Sequence, residues 1–165
     1  MTETEFSRPV RVEPLPRDGI EMDIEADATE REKLAALNGL PSIAHFSASF
    51  RIKKWMRGVE VEGELSARVT QTCIVSLEPF EIDIEEPIDV RFLPGAPPDA
   101  IEDDAPDPLI DGKIDLGAVA SEFLTLSLDP YPRKPGVAFE PPSEADAPDS
   151  AFARLRALAA RDEPD

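Results

Sequence analysis

Cysteine and histidine each occur once in these 165 residues, as Cys73 and His45, and tryptophan and tyrosine once each, as Trp55 and Tyr131. A lone cysteine cannot close an internal disulfide. One cysteine with one histidine also falls short of the roughly four soft or imidazole ligands of a zinc cage. Apolar runs are short: nothing approaches the roughly 20 residues of a membrane-spanning helix, and the first residues carry no basic start followed by an apolar stretch of signal-peptide length. The expectation is a cytoplasmic protein without membrane contact. Positive charge is scarce, with 17 Lys and Arg against 35 Asp and Glu and a formal net charge of −18. Such a chain repels polyphosphate at long range, so a basic protein is the simpler partner and any RNA contact has to be local.

What the chain does have is alternation. Residues 6–13 and 20–26 alternate apolar and polar around a Pro- and Gly-containing turn, and predict two strands. Thr29 followed by Glu32 has capping-box spacing, and with Leu34, Leu37 and the stop at Asn38-Gly39 predicts a short helix over 30–38. Phe46, Ala48, Phe50, Ile52 and Met56 share one parity, whereas Val59, Val61, Leu65, Ala67 and Val69 take the other. That flip predicts a hairpin with Arg57-Gly58 as its two-residue loop, pairing Met56 with Val59, Ile52 with Gly63, Phe50 with Leu65 and Phe46 with Val69. A third alternation follows Pro79, with Pro87 marking a bulge or a sheet edge. Residues 94–110 form an acidic, proline-rich loop holding Glu102, Asp103 and Asp104. Asp115 then stands as an N-cap, and Leu116, Val119, Ala120, Phe123 and Leu124 make the apolar stripe of a helix across the sheet. Residues 140–149 resemble a linker, and 150–165 an amphipathic helix or tail whose Phe152, Leu155 and Leu158 could dock in cis or on a partner.

Four residues on one strand face, Arg51, Lys53, Trp55 and Arg57, form a basic stripe with an aromatic, the pattern of a single-stranded RNA platform. The predicted register opposes it by setting Glu64 against Arg51, Glu62 against Lys53 and Glu60 against Trp55, which would neutralise most of the stripe and leave Arg57 at the tip to reach outward. The same parity puts Cys73 on the core side and His45 on the opposite face, so a Cys/His catalytic pair is not expected. Asp111 and Asp115 are accounted for by a turn and a cap. Tyr131, Arg133 and Lys134, extended by flanking prolines, could dock on the sheet or on a partner.

Three stretches taken in order, Phe6-Ser7-Arg8-Pro9-Val10, then Thr72-Cys73-Ile74-Val75-Ser76-Leu77-Glu78-Pro79-Phe80, then Asp111-Gly112-Lys113-Ile114-Asp115-Leu116-Gly117 through Asp129-Pro130-Tyr131-Pro132-Arg133-Lys134-Pro135-Gly136, resemble the YceD family, large ribosomal RNA subunit accumulation proteins, in its alphaproteobacterial-type branch. The resemblance implies a bacterial cytoplasmic factor supporting 23S ribosomal RNA accumulation and large-subunit biogenesis. Many relatives carry Cys-x-x-Cys before the Leu-x-Pro, where this chain has Cys73 and Ser76. No metal site or cofactor carries over.

The expected architecture is one α+β domain over residues 1–139: an antiparallel, twisted sheet of about five strands curling toward a barrel, one helix packed across it and short flanking helices. The expected function is a non-enzymatic accessory factor for 23S rRNA accumulation, with ribosomal RNA precursor or a basic ribosomal protein as partner and no small-molecule substrate. The alternative is an acidic module holding a basic ribosomal protein without touching RNA. Candidate contact residues are Arg51, Lys53, Trp55, Arg57, Tyr131, Arg133 and Lys134, with Glu102, Asp103 and Asp104 in the acidic loop.

Overall fold

Three long strands that hold the alternating residues carry the architecture. The structure, a computed structural model, describes residues 5–98 and 105–141. Its elements in chain order are β1 (Pro9–Arg11), β2 (Ile20–Glu25), α1 (Ala28–Leu37), β3 (Ser42–Trp55), β4 (Gly58–Thr72), β5 (Pro79–Leu93), β6 (Asp107–Pro108), β7 (Lys113–Asp115) and α2 (Leu116–Ser127). Strands β2 to β6 form one five-stranded sheet in sequence order, antiparallel except for the short parallel β5–β6 pair. The class is α+β, as the alternation predicts. The sheet does not curl into a barrel: β2 and β6 are its edges and do not pair. The predicted first strand contracts to β1 and leaves this sheet, pairing instead with β7 in a two-stranded ribbon.

One sheet face carries the core. Phe46, Ala48, Phe50 and Ile52 from β3 and Val61, Leu65, Ala67 and Val69 from β4 are buried; α1 packs on β3, and α2 lies on β4 and β5 with Leu116, Val119, Ala120 and Leu124 in the core. Phe6 meets Phe46 edge-on at 5.4 Å between ring centroids. The Arg8 guanidinium stacks on the Phe6 ring at 4.5 Å and bonds Glu30 at 2.7 Å, so the segment before β1 is fastened to α1. Helix α1 starts two residues earlier than its sequence signal: Asp27 is the N-cap and Glu30 closes the capping box. The shift turns Leu37 to solvent, and Leu34 with Ala35 supplies the buried face. Asp115 caps α2 as expected, accepting from the Gly117 and Ala118 amides at 3.0 and 3.2 Å, and its carboxylate also takes the Arg8 N–H and the Ser7 hydroxyl at 2.7 Å each.

The β3–β4 hairpin keeps its predicted faces but not its register. Trp55 pairs with Gly58, Ile52 with Val61, Phe50 with Gly63 and Phe46 with Ala67, two residues off the predicted alignment, and the loop is Met56-Arg57. Met56 takes the positive φ (49°) that the turn needs. Gly58 is reserved for the strand: a Cβ there would run into the Phe92 carbonyl of β5. Met56, expected to face the core, is 74% exposed as a consequence. The strand irregularity falls between Ile43 and His45, whereas Pro87 sits in an unbroken ladder opposite Glu64. The acidic loop is anchored at both ends, since the Ala96 and Leu109 amides both donate to the Leu93 carbonyl. Glu102, Asp103 and Asp104 lie outside the described residues, as does the expected 150–165 helix. By internal contacts the chain divides into Met1–Pro135 and Gly136–Asp165.

Candidate functional site

The basic stripe of β3 is paired along most of its length, by partners that only in part match those expected. Lys53 Nζ reaches Glu62 at 2.6 Å, the predicted partner met on the diagonal because the register has slipped. Arg51 turns the other way, to Glu21 on β2 at 2.6 Å. Trp55 is roofed by the Arg91 guanidinium, 5.4 Å from its ring, and the same guanidinium bonds Glu60 at 3.0 Å. A base seeking the Trp55 ring would have to displace Arg91 from it. Farther along the face Arg68 holds Asp83 at 2.7 Å. The hydrogen bonds from these cations hold the Glu62 and Asp83 carboxyls below the ordinary carboxylate range. Arg57 stands exposed in the hairpin loop and, among the described residues, makes no ion pair.

Neutralising the cations leaves the outer sheet face acidic. Asp23, Glu64, Glu81, Glu85 and Asp89 all point to this side, so its carboxylates outnumber the cations paired on it. Ser47, Ser49 and Ser66 form the floor of an open trough between Asp23 and Glu25 on one side and Glu64 and Glu85 on the other, with a volume of about 480 Å³. Small side chains there let the carboxylates stand proud of the sheet.

The second candidate group sits at the far end of β4. After α2 the chain crosses Gln71, whose side-chain amide donates to the Asp129 carbonyl at 3.2 Å, and then runs along the β4–β5 turn, where the Ile74 amide donates to the Pro132 carbonyl at 2.9 Å. Lys134 bonds Glu78 at 2.9 Å. The segment therefore packs on its own domain; Tyr131 and Arg133 face solvent, Tyr131 at 70% exposure. At about 3.3 Å per residue, the length of β4 puts some 45 Å between this group and Arg57. The two sets of candidates do not form one site.

Cys73 lies inside the same turn, fully buried, while His45 is on the outer sheet face beside Ser47 and Glu25. The separation of thiol and imidazole is the one predicted. The donors around the sulfur were not foreseen. The Ser76 hydroxyl and then the Ser76 and Lys134 amides, with a smaller part from the Val75 amide, hydrogen-bond the thiolate and bring the thiol from 9.0 down to about 6. Burial opposes them, but the donors prevail. Ser76 stands where a second cysteine would complete a Cys-x-x-Cys turn, and its backbone N–H donates to Cys73 Sγ at 3.4 Å. Among the described residues no group of three or more His, Cys, Asp or Glu is placed to hold a metal ion, and no helix is long and apolar enough to cross a membrane.

No curated protein and no solved structure matches this chain. Residues 61–159 match the family model described as large ribosomal RNA subunit accumulation protein YceD. That span takes in β4 from Val61 onward, β5, the Cys73 turn, α2 and the segment carrying Tyr131 to Lys134.

Proposed function

Because this chain belongs to the YceD family of large ribosomal RNA subunit accumulation proteins, we propose that it supports accumulation of 23S ribosomal RNA as a non-enzymatic accessory factor, and that it does so by holding a basic protein partner. The observation that carries the choice of partner is the pairing on the outer sheet face. Arg51, Lys53, Arg68 and Arg91 each engage a carboxylate, and acidic groups remain over. A phosphate backbone approaching this face meets repulsion, whereas a Lys- or Arg-rich segment gains attraction and a faster encounter at low salt. With a net charge of −18, the whole molecule favours the same partner.

The RNA-contact reading keeps one specific support, the exposed Arg57 and Arg133 at the two ends of the domain. Crosslinkers placed at these two positions in cells separate the readings: protein adducts support the holding role, and predominantly RNA adducts replace it with direct RNA contact. Deleting the gene is expected to lower 23S relative to 16S rRNA. A normal ratio, with no association with ribosome precursors, overturns the assignment to rRNA accumulation.

A further inference from the structure

Among the described residues, most of the outer edge of β5 is a hydrogen-bonding ladder without a partner strand. β5 pairs with β4 along its whole length, from Val59↔Phe92 to Thr72↔Pro79, but on its other side β6 covers only Phe92 and Leu93. Among the described residues no strand pairs with that side from residue 79 to residue 89. Two observations fix which backbone groups face it. Pro87 has no N–H, yet the β4 ladder runs through it without a shift, so its nitrogen points away from β4. The Leu93 carbonyl, of the same parity, accepts from Leu109 on the outer side. In an antiparallel strand a residue's N–H and C=O point the same way, so the amides and carbonyls of Glu81, Asp83, Glu85 and Asp89 all open outward, with the Pro87 carbonyl among them.

The side chains flanking this ladder differ by face. Glu81, Asp83, Glu85 and Asp89 are exposed on the acidic outer face, where Arg68 holds Asp83 in an ion pair. Phe80, Ile82 and Val90, on the core side, are only partly covered. We propose that the β5 edge is a strand-addition site for an extended segment that alternates Lys or Arg with apolar residues, supplied by a basic protein. The backbone of the segment completes the ladder, its basic side chains lie beside the carboxylates, and its apolar side chains extend the core over Phe80, Ile82 and Val90. A second copy of this chain does not fit, because β5 against β5 sets carboxylate beside carboxylate. The proposal rests on the reading above in taking the partner to be a basic protein, and it names the surface and the sequence pattern of that partner.

The test uses the full chain and a short capped peptide of alternating lysine and valine, with residue-resolved amide hydrogen exchange as the readout. The amides of Glu81, Asp83, Glu85 and Asp89 are expected to exchange fast in the free protein and about tenfold or more slowly with the peptide bound. Glu85→Pro removes one outward N–H without touching the β4 ladder and is expected to weaken binding about tenfold. Should that variant fail to fold, a peptide N-methylated on the edge-facing amides takes its place and is expected to lose binding by a similar factor. Four results overturn the proposal: amides at 81, 83, 85 and 89 already protected in the free protein, protection appearing elsewhere than β5, unchanged affinity in both the proline variant and the methylated peptide, or equal binding of a glutamate-valine peptide. The outcome is independent of the deletion strain. A protected edge with normal 23S rRNA leaves the strand-addition site standing and removes the cellular role; reduced 23S rRNA with an unprotected edge does the reverse.

Discussion

At Cys73 the chemistry of a thiolate is set up without access to it. A thiol brought down to about 6 is deprotonated at neutral pH, but the sulfur is fully buried, so nucleophilicity toward an external reagent is blocked by cover. Two measurements separate these properties. Thiolate absorbance is expected to titrate near pH 6, and maleimide labelling of the folded protein at pH 7 is expected to be slow, becoming fast only in denaturant. Rapid labelling of native protein would contradict the burial. The lowered value also couples to stability: the folded state binds the proton more weakly than the unfolded chain, so the stabilisation is complete above the unfolded value of about 9 and is lost as the pH falls toward about 6. The gap in urea midpoint between the native sequence and Cys73→Ala should therefore widen from pH 6 to pH 9. A constant gap would mean that the sulfur acts by packing alone.

Asp115 is the other residue where one side chain holds several elements. It caps α2 and takes the Arg8 amide and the Ser7 hydroxyl, so Asp115→Ala removes a helix cap together with the clamp on the segment before β1. About 2 kcal/mol of stability is expected to go, read as a lower urea midpoint with an unchanged slope. Asp115→Asn, which retains an acceptor oxygen, should recover part of it.

Among the elements, the β3–β4 hairpin shows how far an alternating pattern reaches. Period two fixes which face each residue takes, and the buried set from Phe46 to Val69 follows it. A slip of two residues leaves every side chain on the same face, so parity alone does not choose the register; the turn does. Arg57-Gly58 has the composition of a hairpin loop, but Gly58 is needed where β5 passes close, and the turn moves back to Met56-Arg57. The approach of β5 is a long-range fact with no local signal. Gly58→Ala is accordingly expected to cost about 1–3 kcal/mol through overpacking against Phe92, although alanine at an ordinary strand position would be neutral. A neutral result would return the glycine to the turn. For α1 the apolar spacing was legible, but the true cap, Asp27, lies two residues before the Thr29 signal and competes with it through the same side-chain chemistry. Pro87 was the legible mark of the open edge, since a proline is tolerated inside a strand only where its missing N–H faces away from the ladder.

For the whole molecule, charge was readable as a total but not as a pattern. The −18 balance pointed to a basic partner, and the cross-strand acids pointed to a neutralised stripe. The partners themselves, Glu21 for Arg51 and Arg91 over Trp55, come from β2 and β5, whose order in the sheet no local signal specifies. The two groups of cation and aromatic candidates fall at opposite ends of a long sheet, and between them, among the described residues, runs an acidic face beside the β5 edge. Binding through that face should weaken steeply with salt, because its charges are exposed and screened over about 10 Å at 0.1 M ionic strength. Photocrosslinking in living cells from a reactive side chain at position 85 tests the central claim most directly. The account predicts adducts to a Lys- or Arg-rich, extended segment of a protein of the large ribosomal subunit; adducts chiefly to RNA would contradict it.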